Sequence, residues 1–373
     1  MLCHTGLLYD KPMLTKEIIQ QVPKVELHDH LDGGLRIKTI LELAKEGGIS
    51  LPSEDEQELR SWFVRGCKQK SLSLYLETFS VTTSVMQTRE ALERIAFEAV
   101  EDLVQENVCY AEIRFAPNLH LEGSLTPEEA VQAVLDGLDR GKKKTGMPSG
   151  LILCAMRNQS PALSLATAEL AVAFCDRGVV GFDLAGDESG YPPKKHLQAF
   201  QYIRNKNFNI TIHAGEAFGV ESIWQAIQVC GAHRIGHGTR LIEDMNLEAN
   251  HIEDTGSLAN FIRDRRIPME MCLTSNVGTG VATDYAHHPF PILFRNQFRV
   301  FLCTDNRLMS DTTLTREMEI AVEYYNLTLR DLEKITINAM KSAFIHHDDK
   351  LDIIYTMIKK GYQEVRTKYG ILD

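Results

Sequence analysis

Short apolar runs recur along the chain, each followed by a polar or glycine-bearing turn and then by a stretch of helical periodicity. Eight runs stand out, at 25–30, 110–115, 150–156, 179–184, 210–213, 234–237, 267–272 and 299–304. Between them, apolar residues gather on one helical face. Over 91–104 these are Leu92, Ile95, Ala96, Ala99 and Leu103, close to the period of a single buried stripe. Thr126-Pro-Glu-Glu opens another helix, with a capping Thr, Pro in the first turn and acids near the positive end of the dipole. Strands that alternate with helices form a parallel sheet, and eight of them close into a barrel. The expectation is therefore α/β, a (β/α)8 TIM barrel. The doubly wound alternative lacks a G-x-G-x-x-G after its first strand.

One segment breaks this rhythm. Residues 50–87 read as a helical insertion after the first strand-helix unit, with Leu72, Tyr75, Leu76 and Phe79 on one face. That face either packs on the barrel as ordinary core or, from its place after the first strand, covers the barrel mouth as a lid. With no linker or repeat along the chain, 1–373 is expected to be a single domain, with additional helices covering the C-terminal mouth.

Composition narrows the partners. Of 373 residues, 44% are hydrophobic and 24% charged, as in ordinary globular proteins. A formal charge of −11 and the absence of any Lys/Arg cluster argue against nucleic acid or an anionic membrane as a partner. No apolar run is long enough to span a bilayer. Residues 1–14 lack a basic n-region, and His4, Asp10, Lys11 and Pro12 interrupt their apolar stretches, so no signal peptide is expected. Eight cysteines include no C-x-x-C pair, which fits a reducing cytoplasm better than a disulfide framework.

In such a barrel, chemistry sits where strands end. The first run ends His28-Asp29-His30-Leu31-Asp32-Gly33, and the two-residue period of a strand turns both imidazoles to one side. The fifth supplies His213, with Glu216 just beyond it. The sixth sets His237 between two glycines, and the eighth leads into Asp305-Asn306. A lone histidine at a strand end is more often a hydrogen-bonded core residue than a ligand. Four histidines and an aspartate at strand ends are harder to explain structurally. Three nitrogens and a carboxylate with one open position suit Zn2+, although iron, cobalt or manganese would accept the same donors. His346-His347-Asp348-Asp349 reads as a solvated helix boundary, and His287-His288-Pro289 as structural rather than ligating.

Ordered along the chain are Val25-Glu-Leu-His-Asp-His-Leu-Asp-Gly33, Tyr110-Ala-Glu-Ile-Arg-Phe-Ala-Pro117 and Gly181-Phe-Asp-Leu-Ala-Gly-Asp-Glu188. His213-Ala-Gly-Glu216, Arg234-Ile-Gly-His-Gly238, Thr304-Asp305 and Asn338-Ala-Met-Lys-Ser342 follow. The set resembles the adenosine deaminase family of the metal-dependent amidohydrolases. The resemblance implies one Zn2+ per chain, held by His28, His30, His213 and Asp305. It implies that Glu216 protonates the purine ring nitrogen beside the amine-bearing carbon, and that His237 orients and helps deprotonate the attacking water. Asp32 is similar to the residue that binds the ribose, and Gly186 to the one whose amide reads another ring nitrogen. Leu72, Tyr75, Leu76 and Phe79 match a hydrophobic gate helix.

The implied activity is a zinc-dependent hydrolase of purine nucleoside metabolism that converts adenosine or 2′-deoxyadenosine to inosine or 2′-deoxyinosine plus ammonia. Adenine or a 5′-modified adenosine is the nearest alternative substrate, and a non-enzymatic binding protein a more distant one. The H-x-E with P-C-x-x-C signature of nucleic-acid deaminases is absent. One departure stands out. Where the family has two aspartates followed by proline, this chain has Asp305-Asn306-Arg307. Asn306 retains an amide donor for the purine. Arg307 is expected to face solvent; turned inward, it would favour an acidic or 5′-substituted nucleoside.

Overall fold

In the computed structural model, residues 14–68, 70, 75, 78–248 and 251–371 are described. Parallel strands β1 (Lys24–His30), β2 (Val108–Phe115), β3 (Ser149–Met156) and β4 (Val179–Ala185) pair in sequence order. A second group pairs as β5 (Thr211–Ala214), β6 (Arg234–His237), β9 (Met269–Met271) and β10 (Val300–Leu302). Two junctions join the groups into a closed ring. At one, Phe182 N–H donates to the carbonyl of Asn209 at 3.0 Å. At the other, His30 N–H donates to the Asp305 carbonyl and Asp305 N–H to the His28 carbonyl, each at 2.8 Å. The eight expected runs are thus the eight barrel strands, and their near-continuous burial follows from a barrel filled inside and wrapped by helices outside.

The helices form where periodicity and capping place them. Arg89–Gln105 buries Leu92, Ile95, Ala96, Ala99 and Leu103. Pro127–Thr145 starts at a capping box in which Thr126 and Glu129 satisfy each other's backbone N–H. These two helices pack so closely that a Cβ on Gly137 would overlap the carbonyl of Glu93. One contiguous core runs from Ile18 to Ile371. Among the described residues, no helix is long and apolar enough to cross a membrane.

Two features differ from the sequence reading. An antiparallel hairpin, β7 (Met245–Glu248) with β8 (His251–Thr255), lies between the sixth and seventh barrel strands. Its first strand is largely exposed, so it lacks the apolar run that marked the others. The insertion contains the helices Glu56–Cys67 and Phe79–Ser84. Tyr75 is buried, with its ring edge-on to Phe79 at 5.8 Å. Leu72 and Leu76 lie outside the described residues.

Candidate metal and catalytic site

The barrel mouth collects the strand-end groups. His28 and His30 close β1, His213 lies in β5, His237 ends β6 and Asp305 follows β10. His237 and Asp305 share a left-handed backbone, with φ of 62° and 63°. That conformation is uncommon for residues with a Cβ and concentrates at functional sites. His28, His213, His237 and Asp305 each offer a ligand atom within 4.8 Å of the others. His30 joins them, its Nε2 lying 3.1 Å from His213 Nε2 and 3.4 Å from Asp305 Oδ1. The structure thus brings together every residue expected to bind metal, and adds His237 to the same cluster.

The donor chemistry fits a cation. His28 Nδ1 lies 2.6 Å from Glu270 Oε2, and His213 Nδ1 lies 3.0 Å from Asp183 Oδ2. A carboxylate accepts, so each imidazole keeps its proton on Nδ1 and turns a bare Nε2 to the centre. His28 Nε2 is buried without a hydrogen-bond donor, 3.2 Å from Asp305 Oδ1. Two lone pairs and a carboxylate oxygen converging in a buried space call for a positive charge among them. Ser275 Oγ donates to Asp305 Oδ2 at 2.6 Å and fixes its second oxygen.

Beneath this cluster lies a buried ionic floor that the sequence reading did not identify. Arg114 pairs with Asp183 at 2.8 Å and Glu270 at 2.9 Å. Arg234 bonds Glu270 and Glu112. Burial alone would raise the Glu270 carboxyl, yet the two guanidiniums and His28 hold it well below its ordinary range. The carboxylates behind His28 and His213 are thereby kept ionised. Arg114 and Asp183 stand within the quoted motifs, but the partnership is set by barrel closure and has no local spacing.

A cavity of about 320 Å³ opens onto the cluster, lined by His30, Asp32, Tyr75, Phe79, Gly186, His213, Glu216, His237, Asp305 and Asn306 among others. Such a volume lies at the low end for small-molecule sites. Burial, reinforced by the charges of Asp305 and Glu188, lifts the Glu216 carboxyl well above its ordinary value, as suits a proton donor at neutral pH. Asp32 is raised to about 7, mainly by burial, and its Oδ1 is buried without a partner. Asn306 Oδ1 is likewise buried and unpartnered. Gly186 lines the wall with φ of 94°, a backbone geometry that glycine adopts freely.

The expectation that Arg307 faces solvent is overturned. Its guanidinium is buried and turned away from the cavity, with Nε 3.0 Å from Asp29 Oδ2 and Nη1 3.6 Å from Asp102. The inward alternative fails as well, because Asp29 lies on the opposite side of the strand from His28 and His30 and draws Arg307 there. The sequence reading also left Glu188 without a role. This buried carboxylate accepts the backbone N–H groups of Gly215, Glu216, Ala217 and Phe218 at 2.6–2.9 Å, and the Ser222 hydroxyl. Its acidic character beside Gly186 was the available signal.

Comparison with known proteins agrees with this arrangement. Residues 23–360 match the family described as adenosine deaminase. Adenosine deaminase 1 of Streptomyces coelicolor is 50% identical over 357 residues, covering 94% of this chain and 90% of that protein. The adenosine deaminase of Mycobacterium marinum is 51% identical over 354 residues, covering 94% and 98%. Among solved structures, adenine deaminase from Arthrobacter aurescens superposes with a TM-score of 0.81 at 24% identity, covering 92% of this chain and 98% of that one. That likeness establishes the barrel fold.

Proposed function

The chain belongs to the adenosine deaminase family, and on that premise we propose hydrolytic deamination of adenosine to inosine and ammonia as its reaction. The observation that carries this reading is the half-identity to adenosine deaminases over nine tenths of both chains. The site supports it, since a ring of metal donors adjoins a carboxylic acid held protonated in a small cavity. 2′-Deoxyadenosine is included among the substrates.

His28, His30, His213 and Asp305 would hold a single catalytic ion, and nitrogen donors with one carboxylate suit zinc. When bound, zinc supplies a strong nucleophile at neutral pH by making water more acidic. The chain's own residues do the rest. Glu216 gives its proton to the ring nitrogen beside the amine-bearing carbon as water adds there, which prevents negative charge from building on the purine. His237, with Nε2 3.6 Å from Glu216 Oε2, orients the attacking water. The second proton of the water goes to the departing amine and the hydroxyl proton of the adduct returns to Glu216. Ammonia leaves, and both the aromatic ring and the acid are restored.

Asp32 receives a ribose hydroxyl with its unpartnered oxygen, while Gly186 and Asn306 meet the purine edge. Tyr75 and Phe79, which line the cavity, cover its faces. No Lys or Arg stands among the described residues that line the cavity. A 5′-phosphate would therefore lack a cation, which favours the free nucleoside over a nucleotide. The decisive experiment follows the ultraviolet spectrum of adenosine with metal-replete protein and with Glu216→Gln. Conversion to inosine by the first and not by the second is expected; an inert wild-type protein with metal bound overturns the reading.

A further inference from the structure

Five groups, His28, His30, His213, His237 and Asp305, compete for places around one ion. What lies behind each imidazole separates them. His28 and His213 back onto carboxylates, which accept an Nδ1 proton and leave Nε2 bare. His237 does not. Its Nδ1 lies 3.1 Å from Asn276 Nδ2, and the orientation of that amide is fixed from further away.

The sequence of constraints starts at a backbone group. Phe290 N–H donates to His288 Nδ1 at 3.1 Å. His288 is buried, and burial lowers it to about 3, so it is neutral and carries its single proton on Nε2. That Nε2 lies 3.1 Å from Asn276 Oδ1, to which Thr239 Oγ1 also donates at 3.0 Å. A rotated amide would set N–H against N–H at His288. Asn276 must therefore direct its NH2 at His237 Nδ1, which can then only accept. A neutral imidazole that accepts at Nδ1 bears its proton at Nε2. A doubly protonated ring is excluded, because its Nδ1–H would face the amide N–H.

We propose that His288 and Asn276 are positioning residues that fix His237 as its Nε2–H tautomer, so that His237 donates a hydrogen bond to the attacking water instead of joining the metal ligands. The fourth ligand place then falls to His30. His237 acts in this form by holding the oxygen in line with the substrate carbon. His288, which has no ligating role, matters because it sets the direction of an amide two steps from the chemistry.

The catalytic meaning rests on the deamination reading, but the tautomer is measured without substrate. In protein carrying nitrogen-15-labelled histidine and loaded with cadmium-113, metal–nitrogen coupling is expected at His28, His30 and His213. His237 should show no coupling and a protonated Nε2. Coupling at His237, or a proton on its Nδ1, overturns the proposal. Asn276→Asp reverses the demand by offering an acceptor to Nδ1. The His237 proton should move to Nδ1, and kcat should fall at least about tenfold with KM within about twofold and one metal still bound. A moved proton with unchanged kcat overturns the donor role. If the variant does not fold, the wild-type couplings decide alone. A correctly protonated His237 in a protein inert toward adenosine would sink the deamination reading and leave the tautomer standing.

Discussion

Glu188 holds Glu216 by its backbone: the Glu188 carboxylate accepts the Glu216 N–H at 2.9 Å and, with the same two oxygens, the N–H groups of the residues on either side. The turn after β5 thus forms around an anion. The same anion is one of the charges that keep the Glu216 carboxyl protonated.

Glu188→Gln should loosen this turn, because an amide keeps one accepting oxygen and turns an NH2 toward backbone donors. Leaving a buried donor unmet costs about 1–3 kcal/mol, and stability measured by chemical denaturation should fall in that range. The expected kinetic signature is a drop in kcat of at least about tenfold from a misplaced acid. Unchanged kinetics would show that Glu216 is positioned by other contacts.

Glu270→Gln should weaken metal binding. Glu270 accepts from His28 Nδ1 and is flanked by Arg114 and Arg234. Removing its charge makes His28 a poorer donor and leaves two buried guanidiniums short of an anion. Loss of such a supporting group typically costs about 10–100-fold in metal affinity. Competition with a chelator, read as metal retained per chain, checks this.

Arg307→Met separates stability from specificity. Removing one partner of a buried ion pair costs about 3–5 kcal/mol, here by stranding the Asp29 carboxylate. Because Arg307 faces away from the cavity, KM for adenosine should stay within about twofold in the folded fraction. A large change in KM would place Arg307 in the substrate's surroundings.

His120 gives the fold an acid-sensitive point outside the candidate metal-donor cluster. Burial lowers it from 6.5 to about 4, and its Nδ1 lies 3.2 Å from the Met86 carbonyl. Between pH 6.5 and 4 the unfolded chain binds a proton there that the folded chain refuses, so stability falls as pH falls through this window. The shift corresponds to about 3 kcal/mol. Denaturation of wild type and His120→Gln at pH 7 and pH 4.5 should show a smaller acid loss in the variant; parallel losses would contradict this.

The sequence by itself determined the eight strands, because each is an uninterrupted apolar run followed by a capped or periodic helix. Cues such as the Thr126-Pro127 start are local and legible. It also marked the candidate metal donors, since a two-residue period places His28 and His30 together and strand ends mark His213, His237 and Asp305. The polar hairpin β7–β8 carried no such pattern and went unseen. Only the tertiary structure decided which way Arg307 turns, since a guanidinium follows the nearest buried carboxylate, and Asp29 is 278 residues away. It alone joined Arg114 to Asp183 and Glu270, and His288 through Asn276 to His237. Barrel closure brings such groups together from distant strands and loops. Their pairing follows from the need of buried polar groups for partners, which chain spacing does not record.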